Sequence, residues 1–201
     1  MSLDDLISQE IALPGGPLSL LQPRDVAELP DEGEVQWAPL APYWAVLWRS
    51  GVALAEHIAR SDLRGQRVVE LGCGLGLPSL AAARAGAEVL ATDVDLDALD
   101  LLGRNAELND LVLETAAIDW NRPDDLLERA PFDLVIASDV LYEETVVDRL
   151  EALMPRLARQ AWLADPGRPA ADALLDRLGQ SAESERETRG VVRLYRLTFG
   201  H

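Results

Sequence analysis

The chain has 201 residues, 48% of them hydrophobic and 26% charged, which is the composition of one globular domain with room for a substantial core. No apolar run approaches the ~20 residues that span a bilayer, and the opening Met1-Ser2-Leu3-Asp4-Asp5 is acidic where a secretory signal is basic; a cytoplasmic protein with no membrane association is expected. The net charge of −17 opposes a phosphate backbone and favours a basic partner, and one cysteine with two distant histidines excludes an internal disulfide and argues against a His- or Cys-based metal centre.

Residues 1–45 carry Pro14, Pro17, Pro23, Pro30, Pro39 and Pro42 and are expected to form an irregular cover with room for one short helix or hairpin. The core, residues 46–201, opens with an amphipathic helix from about Trp48 to Ala59. Strands are then predicted at Arg67 to Leu71, Glu88 to Thr92, Leu113 to Ile118, Phe132 to Ala137 and Gln160 to Ala164. They alternate with helices near Leu77 to Ala85, Leu96 to Leu108, Glu144 to Leu157 and Ala170 to Leu178. That alternation is the pattern of βα units on a mostly parallel, three-layer α/β sheet. Ser181 to Thr188 and Val191 to Phe199 flank Arg189-Gly190 and read as an antiparallel hairpin at one edge. The whole is read as a single domain and a monomer.

The segment Glu70-Leu71-Gly72-Cys73-Gly74-Leu75-Gly76 closes a buried strand and opens a helix, so bare backbone at Gly72, Gly74 and Gly76 can approach a ligand. A dinucleotide fingerprint would put its third glycine where Leu77 stands. Glu70 beside the turn opposes a pyrophosphate and suits a ligand bearing an ammonium or sulfonium. Asp93, ending the second strand, is placed to accept two ribose hydroxyls, with Val94 beside it in the same binding set and Asp95 as a helix N-cap. Asp119 offers an acceptor for an adenine amino group and Trp120 an aromatic wall. Cys73 is read as a small filler of the turn.

Glu70-Leu-Gly-Cys-Gly-Leu-Gly, Thr92-Asp93, Asp119-Trp120 and Ala137-Ser138-Asp139-Val140-Leu141-Tyr142 resemble the seven-strand, class I methyltransferases of methyltransferase family 16. The resemblance covers roughly Pro42 to Asp165 and implies a Rossmann-like sheet of strand order 3-2-1-4-5-7-6, strand 7 antiparallel. It implies S-adenosylmethionine as cofactor, with Trp48 covering it and Ser138 beside it, and a lysine side chain of a protein as acceptor. Pro42-Tyr43-Trp44-Ala45 and Ala164-Asp165-Pro166-Gly167-Arg168 resemble the branch that methylates the electron transfer flavoprotein β subunit, whose bacterial members are also associated with a ribosomal stalk protein.

Methyl transfer from a sulfonium asks mainly for a positioned neutral nucleophile and a dry site. Asp139 and Tyr142 follow the fourth strand, where open α/β sheets bind ligands, and are similar to the family's Asp-x-x-Tyr motif. Asp139 is assigned to orienting an amine and Tyr142 to lining the transfer channel. Trp44 and Trp48 offer aromatic faces to a cation or simple packing. Arg168 either anchors an acceptor carboxylate or stabilises its loop. A small-molecule amine methyltransferase and a cofactor-binding module without turnover are the competing readings. The absence of the Asn/Asp-Pro-Pro-aromatic motif at Ser138-Asp139-Val140-Leu141 argues against a nucleic-acid amine acceptor.

Overall fold

The computed structural model describes residues 5–27, 42–179 and 182–200. Pro30, Pro39 and Ser181 lie outside them. Seven strands form one sheet: β3 (Arg67–Leu71), β4 (Glu88–Asp93), β5 (Glu114–Ala117), β6 (Phe132–Ser138), β7 (Ala158–Asp165), β8 (Ala182–Arg189) and β9 (Val192–Phe199). Two further strands, β1 (Leu6–Ile11) and β2 (Leu18–Pro23), pair apart from it. The sheet order is β5-β4-β3-β6-β7-β9-β8. Counted from Arg67 this is 3-2-1-4-5-7-6, as the resemblance implies. β3 to β7 run parallel, while β9 is antiparallel to both neighbours.

Alternation along each central strand divides the core in two. Val68, Val89, Ala91, Leu134 and Ile136 face α2 (Arg49–Ile58), α3 (Leu77–Arg84) and α4 (Leu96–Leu108). Val69, Leu71, Leu90, Val135 and Ala137 face the layer of α5 (Asp124–Leu127), α6 (Glu144–Leu157) and α7 (Pro169–Leu178). Both faces of β3 and β6 are thus covered, which is why these strands read as continuous apolar runs rather than alternating ones. Burying each leucine or valine on either face contributes about 1.5–3 kcal/mol before entropy.

The N-terminal segment contains the hairpin for which the cover was expected to have room, and is more regular than the rest of that expectation. β1 and β2 form a regular antiparallel hairpin with Gly15 and Gly16 in its turn, followed by the one-turn helix α1 (Arg24–Ala27). Leu18 and Leu20 point into the core at two-residue spacing, so the strand was written in its alternation and hidden by the prolines around it. The hairpin is tied down by α4. Asn105 accepts the Leu21 amide at 2.7 Å and Asn109 accepts the Ser19 amide at 2.9 Å, and each amide nitrogen donates back to the carbonyl of the same residue. At the far end, Gly190 and Val191 make the turn between β8 and β9, one residue later than Arg189-Gly190. Among the described residues no helix is long and apolar enough to cross a membrane.

Candidate active site

The carboxyl ends of β3, β4 and β6 open into a cavity of about 1200 Å³. Its floor is the β3–α3 turn. Gly72 (φ +68) and Gly74 (φ +51) both sit in the left-handed region, and a Cβ would meet Val140 Cγ1 at 2.9 Å in the first case and the Trp44 carbonyl oxygen at 2.7 Å in the second. Only glycine satisfies both the backbone conformation and the close approach. Gly76 is the N-cap of α3 against Leu102. The turn is pinned to β4, since the Cys73 amide donates to the Thr92 carbonyl at 2.9 Å and the Gly74 amide to Asp93 Oδ2 at 2.9 Å. Cys73 is buried, and burial pushes its thiol pKa up, so it stays a protonated filler.

Asp93 ends β4 with its carboxylate in the cavity wall. Besides the Gly74 amide it accepts the Asp95 amide on Oδ1 at 3.0 Å. Each carboxylate oxygen keeps a further lone pair, enough for two more donors. Burial raises its pKa, and the backbone amides of Gly74 and Asp95 pull the other way. Val94 is 71% exposed and lines the cavity, an apolar face available to a planar ring. Asp95 caps α4 by accepting the Asp97 amide at 2.9 Å. Across the cavity, Asp119 folds back on its own turn, accepting the Asn121 amide at 2.9 Å and the Asn121 side-chain amide at 2.7 Å, and those bonds lower its pKa. Trp120 lies against Gly72.

Glu70 is the exception among the proposed ligands. It is fully buried behind the turn and absent from the cavity wall, where it takes the Ser79 amide at 3.0 Å and the Ser79 hydroxyl on Oε2. Oε1 has no partner. Burial raises its pKa to about 8, against the pull of the Ser79 bonds. At neutral pH it is a neutral hydrogen-bonding brace between β3 and α3, not a facing carboxylate. Strand alternation explains the difference: a residue two before the turn's first glycine points beneath the sheet end, not out of it.

This has a measurable consequence. Unfolded, Glu70 titrates near 4.5; folded, near 8. Between those values the unfolded chain holds fewer protons, so stability falls as pH rises through the window, by at most about 1.4 kcal/mol per unit, and levels off above it. Glu70→Gln should flatten that slope in urea unfolding compared at about pH 5 and about pH 8. An identical slope in the variant would mean that Glu70 is ionised in the native protein.

The second half of the site is built by β6, β7 and α2. Ser138 ends β6 near Gly51 of α2, and Asp139 follows at φ +58, its amide donating to the Ala164 carbonyl at 3.0 Å. Asp139 Oδ1 accepts Arg168 Nη1 at 2.9 Å, and Oδ2 is buried without a well-formed hydrogen bond. Burial raises its pKa; Arg168 and the Ser50 hydroxyl oppose that. Arg168 Nη1 also donates to Asp165 Oδ2 at 2.9 Å. Arg168 thus anchors two carboxylates of this chain, and α6 begins beyond Asp139, with Glu143 as its N-cap. Tyr142 is half-exposed at the cavity mouth, with its phenol pKa raised by burial.

A roof closes the arrangement. The 3-10 turn Tyr43–Ala45 and the start of α2 carry Trp44 and Trp48 over the cavity, with the Trp48 ring nitrogen donating to the Tyr43 carbonyl at 3.1 Å. Gln22 of the N-terminal hairpin, itself buried, donates to the Ala45 carbonyl at 2.9 Å. Sequence reasoning gave no role to Gln22 or Asp165. The signal for Asp165 was present in Asp165-Pro166-Gly167-Arg168, where an Asp opening a Pro-Gly turn accepts the amides of Gly167 and Arg168.

The chain is 32% identical over 144 residues to the electron transfer flavoprotein beta subunit lysine methyltransferase of Homo sapiens, covering 66% of this chain and 52% of that protein. It is 34% identical over 117 residues to a protein N-lysine methyltransferase of Danio rerio, covering 54% and 53%. The chain therefore spans about half the length of these relatives. Among solved structures, a ribosomal protein L11 methylase from Lactobacillus delbrueckii subsp. bulgaricus superposes with a TM-score of 0.63 at 21% identity, covering 76% of this chain and 79% of the other, which is a likeness of fold. The sequence profile described as "Lysine methyltransferase" matches residues 43–162, from the roof through the fourth and fifth core strands, and by that match the chain belongs to the lysine methyltransferase family.

Proposed function

We propose that the protein is an S-adenosylmethionine-dependent N-methyltransferase acting on lysine side chains of a protein. The observation that carries this is one cavity with two chemically distinct halves: a glycine cradle with Asp93 on one side, and Asp139 with Tyr142 on the other. The residues present fit that cofactor. Gly72 and Gly74 leave room where a side chain would fill the floor, Val94 and Trp120 offer faces to an adenine, and Asp93 keeps acceptor capacity for ribose hydroxyls. Four aspartates, Asp93, Asp95, Asp119 and Asp139, line the cavity against two arginines, Arg149 and Arg168, which suits a cationic ligand better than a pyrophosphate.

When bound, S-adenosylmethionine supplies a methyl group on a positively charged sulfur. A lysine acceptor reaches the site as an ammonium and must lose a proton before its nitrogen can take up a methyl group. Asp139 receives the amine as an ammonium and holds it in line; a proton leaves to solvent before attack. Tyr142 lines the approach, and Trp44 and Trp48 exclude water. The similarity to the electron transfer flavoprotein enzyme supports that β subunit as the first acceptor to try, with a ribosomal stalk protein as the second.

The test is labelled S-adenosylmethionine with each acceptor and with a low-molecular-weight cell extract. The chain contains no lysine, so any methyl-lysine recovered comes from a substrate. Methyl-lysine in an acceptor protein supports the reading. Methyl-arginine would point to an arginine acceptor instead. Label confined to small molecules would favour an amine of low mass.

A further inference from the structure

We propose that Arg168, clamped by Asp165, is a positioning residue of the acceptor half of the site: it holds Asp139 by one oxygen and leaves the other, with one uncompensated negative charge, for a single acceptor ammonium. The inference rests on the reading that Asp139 faces the acceptor amine.

The turn after β7 makes the clamp. Asp165, 1% exposed, ends the strand and accepts the Gly167 amide at 2.7 Å and the Arg168 amide at 2.6 Å on Oδ1, which fixes the backbone from which the Arg168 side chain departs. Arg168 Nη1 then lies at 2.9 Å from both Asp165 Oδ2 and Asp139 Oδ1. One nitrogen is shared by two carboxylates that are almost out of contact with water. The Asp139 amide is held by the Ala164 carbonyl at 3.0 Å, so β7 and its turn position this residue at both backbone and side chain.

Two carboxylates and one guanidinium leave a net charge of −1. At the surface that would be screened and would contribute little. Here burial makes the imbalance costly, and removing one partner from such a network is costlier than the network itself. Asp139 Oδ2 is where the imbalance is unspent, because it lacks a well-formed hydrogen bond. One ammonium brought there completes both the charge and the hydrogen bonding, whereas a neutral or anionic acceptor completes neither. The groups around Asp139 are Arg168 and Asp165 from the β7 side and the Ser50 hydroxyl from α2; Tyr142, Arg149 and, farther across, Asp93 line the same cavity.

The experiment is a carbon-13 titration of the Asp139 side-chain carboxyl by NMR in the full chain, comparing wild type with Arg168→Met, Arg168→Lys and Asp165→Asn. Losing the guanidinium leaves two carboxylates facing each other, so Arg168→Met should raise the Asp139 midpoint by about one unit or more. Losing the competing carboxylate gives Arg168 wholly to Asp139, so Asp165→Asn should lower it. Arg168→Lys should fall between wild type and Arg168→Met. In turnover assays the acid limb of kcat/KM should move with these midpoints, and the Kd for S-adenosylmethionine should stay within about twofold. A purely structural ion pair would shift the midpoints in the same two directions but leave the acid limb of kcat/KM where it is in wild type. Midpoints that stay put, or that move the same way in Arg168→Met and Asp165→Asn, would overturn the proposal. If Arg168→Met does not fold, Arg168→Lys and Asp165→Asn carry the same comparison. Midpoints that move as expected in an enzyme that methylates no amine would defeat the proposed function, and with it the acceptor role, and leave only the charge coupling of Arg168, Asp165 and Asp139.

Discussion

Asp93→Ala is expected to weaken S-adenosylmethionine binding by about 100-fold, since two charge-assisted hydrogen bonds to ribose hydroxyls amount to about 3 kcal/mol. The expectation follows from position. Among the described residues, Asp93 is the one carboxylate that both ends a core strand and touches the glycine turn, with Gly74 and Asp95 amides already on it at 2.9 and 3.0 Å. The same bonds mean that alanine also frees the turn, so the loss has two sources. Asp93→Asn separates them: one oxygen still accepts a backbone amide, while the charge and half the ribose acceptor capacity are gone. Isothermal calorimetry should order the affinities as wild type, then Asn, then Ala, with thermal unfolding reporting any loss of fold. Affinity unchanged in Asp93→Ala would remove the ribose assignment and move the cofactor elsewhere in the cavity.

The parts of the fold that the sequence made legible are those where a single rule dominates. β3, β4 and β6 are short apolar runs buried on both faces, and their helices follow at regular spacing, so their limits fall within a residue of those expected. β5 was harder: it is an edge strand of four residues, Glu114–Ala117, with little burial to mark it. The one-turn α5 at Asp124–Leu127 was missed because a single turn has no periodicity to read. The N-terminal hairpin was expected only as an alternative to a short helix, because the prolines obscured the alternation that Leu18 and Leu20 carry.

The site divides in the same way. Gly72, Gly74, Gly76, Asp93 and Asp119 were placed by their position at strand ends, and all lie around one cavity with Trp48, Val94, Trp120, Ser138, Asp139 and Tyr142. What a linear reading does not reveal is which side of the strand end a carboxylate occupies, and that is where Glu70 went astray: it is turned inward onto Ser79. Nor does it reveal pairings between distant segments. Asp139 meets Arg168 across 29 residues, and Gln22 reaches Ala45 across 23; each bond depends on how the sheet and its cover close, which no local pattern encodes.

Asp139→Asn should lower kcat/KM for the protein acceptor by about 100-fold or more while leaving the cofactor Kd within about twofold, the range seen when a group that orients a reacting proton or amine is lost. Asparagine is the informative substitution because Asp139 sits at φ +58, a conformation that Asn tolerates and alanine resists. The Asn carbonyl oxygen can still accept Arg168 Nη1, and Arg168 keeps Asp165, so the turn after β7 survives. What changes is the second position, where a buried, unspent carboxylate oxygen becomes an amide donor that repels an ammonium. The loss should therefore appear in both KM for the acceptor and kcat, because the group orients the bound amine as well as attracting it. Steady-state assays over acceptor concentration, paired with calorimetry for the cofactor, separate these. A variant with unaltered kcat/KM would take Asp139 out of the reaction, and one that lost the cofactor as well would place it in the other half of the cavity.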